Sequence, residues 1–185
     1  MYTYRLLETD WGIVAYVAQD DKLVRFFLPS DLPGLPMTKT REKRQISTQI
    51  AAINGFGRQH KVFPEHDPDL LPRLADQVRY YFAGKQVRFE FKVNLSKLTP
   101  FTRKVLEATA KIPYGQTVSY QAVAKRVGAA QACRAVGQAL GANPIPLVIP
   151  CHRVVRRNGR FGGFTGPCGV AMKIRMLELE KRSHE

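Results

Sequence analysis

Ser119-Tyr-Gln-Ala-Val-Ala-Lys-Arg-Val-Gly-Ala-Ala-Gln-Ala-Cys-Arg-Ala-Val-Gly-Gln-Ala-Leu-Gly141 decides how the second half of this 185-residue chain folds. Ser119 can cap a helix with its hydroxyl and Gly128 suits a helix end, so Tyr120–Val127 is predicted helical. A three-residue turn then leads to a second predicted helix from Gln131 to Leu140, closed by Gly141. Helix, short glycine-containing turn and helix within a basic segment suggest a helix-turn-helix. The second helix sets small residues, among them Ala132, Cys133, Ala135 and Gly137, around one arginine, Arg134. A major-groove reader needs several long polar side chains to reach base edges. Small residues around one arginine suit the minor groove, about 6 Å wide. Close helix packing explains Ala135 and Ala139 equally well, but it gives Arg134 no task.

The charge around this stretch points the same way. The chain carries 29 Lys and Arg against 15 Asp and Glu, a formal net charge of +14. Residues 1–99 hold 15 basic and 11 acidic side chains, whereas residues 100–185 hold 14 and 4. No carboxylate occurs between Glu107 and Glu178. Solvated faces normally mix signs, so so long an acid-free run implies a polyanionic partner whose phosphates carboxylates would repel. Nucleic acid is the first expectation. An anionic membrane surface is the second, but no basic amphipathic helix with large apolar residues supports it.

Composition excludes other classes. With 44% apolar and 24% charged residues the chain is globular rather than disordered or fibrous. No run approaches the roughly 20 apolar residues that span a bilayer, and no secretory leader is visible. A soluble, cytoplasmic monomer is expected. Cys133, Cys151 and Cys168 are too few and too far apart for a disulfide framework or a paired zinc site. His60, His66, His152 and His184 add no ligand pattern, so neither metal nor cofactor is expected.

Upstream, Thr3–Glu8, Gly12–Ala18 and Lys22–Leu28 read as short strands separated by turns at Asp10 and Asp20-Asp21. Thr40–Asn54 and Asp69–Ala83 have helical apolar spacing, with Gly84 ending the second. Gln86–Val93 alternates, with Val87, Phe89, Phe91 and Val93 on one face, and reads as a half-buried strand. Leu95–Pro100 reads as a linker, dividing the chain into domains 1–95 and 96–185. Pro100 then opens a helix running to about Lys111.

The stretch with chemistry is Asn143-Pro-Ile-Pro-Leu-Val-Ile-Pro-Cys-His-Arg-Val-Val155. Its three prolines forbid a regular helix and predict a stiff extended segment delivering Cys151. A cysteine among Leu147, Val148 and Ile149 alone would be an inert buried thiol. His152 follows it, however, and Arg153, Arg156 and Arg157 are expected to make its surroundings electropositive, which favours the nucleophilic thiolate. An activated cysteine beside a helix-turn-helix suggests covalent chemistry on nucleic acid.

Pro150-Cys151-His152-Arg153-Val154 resembles the active-site signature of the O6-alkylguanine-DNA alkyltransferases. The resemblance extends over residues 100–185, through Phe101-Thr102-Arg103, Ile112-Pro113-Tyr114-Gly115, Ser119-Tyr120, Arg134-Ala135-Val136-Gly137, Asn143-Pro144 and Gly162-Gly163-Phe164. It implies an α+β protein of two domains. The first is a ribonuclease-H-like β/α domain, and the second a mainly helical, winged helix-turn-helix-like alkyltransferase domain.

The resemblance further implies irreversible transfer of an alkyl group from O6-alkylguanine, and from O4-alkylthymine, in double-stranded DNA to Cys151. Each molecule would act once, after minor-groove binding and base flipping. By resemblance His152 is the base acting through a water and Glu180 the carboxylate that orients it. Asn143 braces the active-site turn, and Tyr120 donates to guanine N3. Arg134 is the finger that fills the gap left by the flipped base, with Thr102, Arg103, Gln121, Ala132 and Ala135 on the DNA. Pro146, Val154, Phe164 and Thr165 bound the alkyl pocket, Thr165 presenting a hydroxyl near O6. Without the resemblance, Glu180 reads as a solvated charge at a helix end.

Departures from the family pattern are Phe164 in place of a frequent tyrosine, about two extra residues around Pro167-Cys168, and no cysteine before Cys133 for an N-terminal zinc site. A binding module of this fold that recognises damage without repairing it is the main rival, and it would lack Cys151. A transcription regulator reading the major groove is more distant.

Overall fold

The structure, a computed structural model, describes residues 1–34 and 36–182; His184 lies outside them. The chain divides into two compact units, Met1–Asn94 and Leu95–Glu185.

In the first unit, β1 (Tyr2–Thr9), β2 (Gly12–Gln19) and β3 (Lys22–Phe27) form an antiparallel meander. β4 (Glu65–His66) adds in parallel to β1, giving the order β3-β2-β1-β4. The central strand is apolar on both faces, and Val14 to Ala18 are all at 0% exposure. Helix α1 (Lys39–His60) covers one face, where Ile53 and Phe56 meet Ala15 and Val17. Gln45 and Gln49 fix the register of that packing, since Gln45 Oε1 accepts from Ile13 N at 2.8 Å and Gln49 Nε2 donates to Ile13 O at 2.9 Å. Toward the other face, Tyr16 donates to Leu70 O at 2.6 Å just ahead of α2 (Pro72–Phe82), and Trp11 packs on Phe82.

Three expectations change here. Helix α1 runs past Asn54 to His60 because its glycines do not stop it. Gly57 instead lets Val62 O come close, where a Cβ would sit 2.7 Å from that oxygen. Helix α2 starts at Pro72, not Asp69, because Leu71 adopts a left-handed conformation (φ 47°) and proline fits only the first turn. Residues 86–93 form no strand. They alternate in burial as expected, but meet β3 only at Leu23, whose N–H donates to Lys92 O and whose carbonyl accepts from Asn94 N. Burying one face does not require a ladder along the whole segment.

In the second unit, Thr99 caps α3 (Pro100–Ala110), its hydroxyl accepting from Thr102 N at 3.2 Å. β5 (Val118–Ser119) leads into α4 (Tyr120–Arg126), where Ser119 Oγ accepts from Ala122 N at 3.0 Å. Gly128 turns the chain at φ 75°. Helix α5 (Cys133–Gly141) begins two residues later than predicted, because Ala132 N donates to Ala129 O and keeps residues 129–132 in a turn. A 3-10 turn (Cys151–Arg153) leads to β6 (Val154–Val155), which pairs in parallel with β5, and α6 (Val170–Arg182) closes the unit. The whole is a mixed α+β protein. Among the described residues no helix is long and apolar enough to cross a membrane.

Candidate active site

Residues 143–150 form a braced turn rather than the extended segment expected from the prolines. Ile149 N donates to Ile145 O at 3.0 Å, and buried Leu147 is held at φ 77°. A non-glycine residue there costs of the order of 1–3 kcal/mol, so the turn needs outside support. Asn143 supplies it, with Nδ2 donating to Ile149 O at 2.9 Å and Oδ1 accepting from Ile145 N at 3.0 Å. This turn delivers Cys151, 9% exposed, to the floor of a cleft of about 980 Å³. Tyr120, Gln121, Arg134, Phe164 and Thr165 share the cleft, and Cys133, Arg156 and Arg157 extend its walls.

Not every predicted site residue reaches it. Thr102 and Arg103 sit on the first turn of α3 and Ala132 and Ala135 at the start of α5, none of them lining the cleft. Val154 is fully buried and Pro146 belongs to the turn, and neither lines the cleft. Thr165 lines the cleft, but its hydroxyl donates to Gly141 O at 3.1 Å, so that proton is committed to the backbone rather than to a ligand oxygen. Arg134 is exposed, with no hydrogen bond or ion pair among the described residues.

Beside Cys151 lies a buried charge cluster. His152 Nε2 is 2.6 Å from Glu180 Oε1, and both side chains are fully buried. Arg153 grips the same carboxylate through Nε at 3.0 and 3.2 Å and Nη2 at 3.0 Å, and Gly115 N donates to Oε2 at 3.0 Å. The other guanidinium nitrogen donates to Ile112 O at 2.7 Å, and the group lies over the Tyr114 ring. Glu180 is therefore not a solvated charge. Burial alone would raise its pKa, but the His152 hydrogen bond and the Arg153 charge bring it down to about 2. His152 is shifted the opposite way to a charged partner, because burial favours the neutral ring over the imidazolium. Arg153 keeps Glu180 ionised.

The expected source of thiol activation is corrected. Arg153 is turned away to Glu180 and Ile112 O. Burial dominates and leaves the Cys151 thiol raised, against the expected activation; Asn143, the Lys173 charge and the backbone N–H groups of Cys151 and His152 offset that rise only in part. Lys173 is the residue the sequence reading missed. It is fully buried, donates to Val154 O at 2.6 Å and lies over the Tyr120 ring at 5.8 Å. The signal was periodicity: Met172, Lys173, Met176, Leu177 and Glu180 form the buried face of α6. Burial, then the Cys151 charge, raises the Tyr120 pKa, so its hydroxyl keeps its proton. Among the described residues no cluster of three His, Cys, Asp or Glu could hold a metal ion.

Residues 100–182 match the family described as 6-O-methylguanine DNA methyltransferase, DNA binding domain. The inducible methylated-DNA–protein-cysteine methyltransferase of Bacillus subtilis is 37% identical over 162 residues, 85% of either chain. This chain belongs to the methylated-DNA–protein-cysteine methyltransferase family. The constitutive methyltransferase of B. subtilis is 31% identical over 100% of this chain and 99% of that one. A Mycobacterium tuberculosis OGT solved in complex with DNA superposes with TM-score 0.75 at 30% identity, covering 98% of this chain and 94% of that one. Cys151 lines the cleft, and His152 and Glu180 lie buried next to it.

Proposed function

We propose that the protein repairs alkylated DNA by moving the alkyl group from O6 of guanine, and from O4 of thymine, onto Cys151. The observation that carries this reading is Cys151 lining one cleft with the exposed Arg134, and a buried His152–Glu180 pair next to that cysteine. Family membership supports it, as does the acid-free basic stretch that forms the cleft.

The chemistry runs on this chain's own residues. His152, neutral and held at Nε2 by Glu180, takes the thiol proton through a water at Nδ1. Lys173 and Asn143 favour the resulting thiolate. Sulfur attacks the sp³ carbon of the alkyl group, a carbon–sulfur bond forms and the carbon–oxygen bond breaks. The electron pair leaves on the guanine ring, and the proton that His152 took from the thiol, passed on through water, neutralises the ring and restores the neutral histidine. Tyr120, kept protonated, donates to N3 of the departing base. The target must first leave the helix at a cost of a few kcal/mol, and Arg134 fills the gap from the minor-groove side. We read residues 1–95 as the ribonuclease-H-like domain and residues 96–185 as the winged helix-turn-helix-like one, acting as a monomer on duplex DNA.

Intact-mass measurement after incubation with a duplex containing O6-methylguanine tests this. The parent should gain one methyl group and Cys151→Ala none, with DNA affinity kept, because phosphate contacts dominate binding. Binding with no mass gain in the parent would leave a recognition module in place of a transferase. Mass gain in Cys151→Ala would move the nucleophile to Cys133 or Cys168.

A further inference from the structure

The turn that follows β6 carries groups the transfer chemistry does not use. Arg156, Arg157 and Arg160 are exposed, and no carboxylate pairs with them among the described residues. Phe161, next in sequence, leaves 42% of its surface in solvent. Three guanidinium groups within five residues repel one another, and an exposed phenyl ring is costly in water. Neither feature helps the fold.

The turn is nonetheless well built. Arg156 N donates to Arg160 O and Gly159 N to Arg156 O, each at 2.9 Å. Asn158 Oδ1 accepts from Arg160 N at 3.2 Å, and Gly159 takes the positive φ of 73° that closes the loop. Both ends are tied to the reactive cleft. Val155, just before it, pairs with Ser119, and Gly162, just after it, packs so closely on Tyr120 that a Cβ there would run into the phenolic oxygen. Arg156 and Arg157 already form part of the cleft wall. A rigid, carboxylate-free turn with planar cations and a free aromatic face thus stands beside the place where a nucleotide would enter.

We propose that the Arg156–Phe161 turn is a second DNA-contacting arm, its guanidinium groups gripping backbone phosphates beside the extruded nucleotide and the Phe161 ring stacking on a neighbouring base. The inference rests on the DNA-repair reading above. Arginine suits the task because its planar fork matches phosphate oxygens in a way that a point charge does not. A turn held by its own hydrogen bonds loses little freedom on binding.

The test uses the full chain and a labelled undamaged duplex, with affinity followed from low to moderate potassium chloride. Each phosphate contact contributes about 0.9 to the slope of log K against log salt. Arg157→Gln with Arg160→Gln should therefore flatten the slope by about 2, while Arg157→Lys with Arg160→Lys, which keeps the charges, should not. Phe161→Ala should leave the slope alone and weaken binding of single-stranded DNA by roughly 5- to 100-fold, the worth of one base–aromatic stack. Thermal melting shows whether the variants stay folded, and Arg160→Glu alone offers a second, smaller change with the same expected sign. Parental slope and affinity in folded variants overturn the arm while leaving the repair reading intact. A parent that gains no methyl group from damaged duplex overturns both.

Discussion

Glu180 Oε1 lies 2.6 Å from His152 Nε2, and neither side chain reaches solvent. One carboxylate thus does two jobs: it fixes the tautomer of the histidine and it neutralises Arg153, which no other acid among the described residues approaches. The orientation of His152 and the burial of Arg153 depend on the same group.

That sharing sets a pH dependence. Glu180 titrates at about 2 in the fold against an ordinary 4.5, so between those values the unfolded chain holds more protons than the native one. Its stabilisation is complete above about pH 4.5 and is lost as pH falls through about 2. His152, buried and lowered, adds a loss that begins below its ordinary 6.5. Urea midpoints measured from pH 7 to pH 3 should fall steadily. Glu180→Gln should cost about 3–5 kcal/mol at neutral pH, because Arg153 is left buried without a counter-charge, and should flatten the acid limb. A steep limb retained in that variant would place the titration elsewhere.

Lys173 is expected to offset part of the rise that burial imposes on the Cys151 thiol. Lys173→Met should raise the Cys151 pKa further and move the pH–rate profile for free O6-benzylguanine to higher pH. It should also cost about 1–3 kcal/mol of stability from the orphaned Val154 carbonyl. Lys173→Arg should recover part of the profile. An unmoved midpoint with only a lower melting temperature would make Lys173 purely structural.

Arg134 should matter to duplex and not to the free base. Arg134→Ala should slow repair within DNA at least tenfold, the worth of about 1.4 kcal/mol, with little effect on O6-benzylguanine. Equal losses on both substrates would assign Arg134 to the fold instead.

The reaction should stop after one turnover. A thioether at Cys151 has no easy leaving group, and His152 and Glu180 can move protons but cannot cleave carbon from sulfur. Quantified repair should end at one equivalent per protein. Because Cys151 is buried, the added group overpacks its surroundings by about 1–3 kcal/mol, so the alkylated protein should melt below the free one. Product beyond one equivalent without added thiol would falsify single turnover.

Local signals reported the frame of this molecule faithfully. Ser119 capped α4, Gly128 ended it and the three N-terminal strands fell between their turns, because these features depend on a few neighbouring residues. Cys151 and His152 stood out locally, but Glu180 was tied to them only through the family signature, as nothing local says that residues 28 positions apart will touch. What escaped was set by packing. Arg153 looked like an activator of its sequence neighbour, but the fold turned it toward Glu180 and Ile112 O, and Lys173 from α6 took its place. Gln86–Val93 had the alternation of a strand and lacked a partner along most of its length.

A ladder of only two pairs ties the two halves of the site together. β5 and β6 share two register pairs, Val118 with Val154 and Ser119 with Val155. Ser119 caps the helix that begins at Tyr120, and Val154 directly follows the turn carrying Cys151. The backbone that starts α4 and the backbone that follows Cys151 are thus hydrogen-bonded neighbours. If α4 and α5 hold the duplex and Cys151 takes the alkyl group, as proposed above, a shift of α4 on binding would be felt two residues from the sulfur.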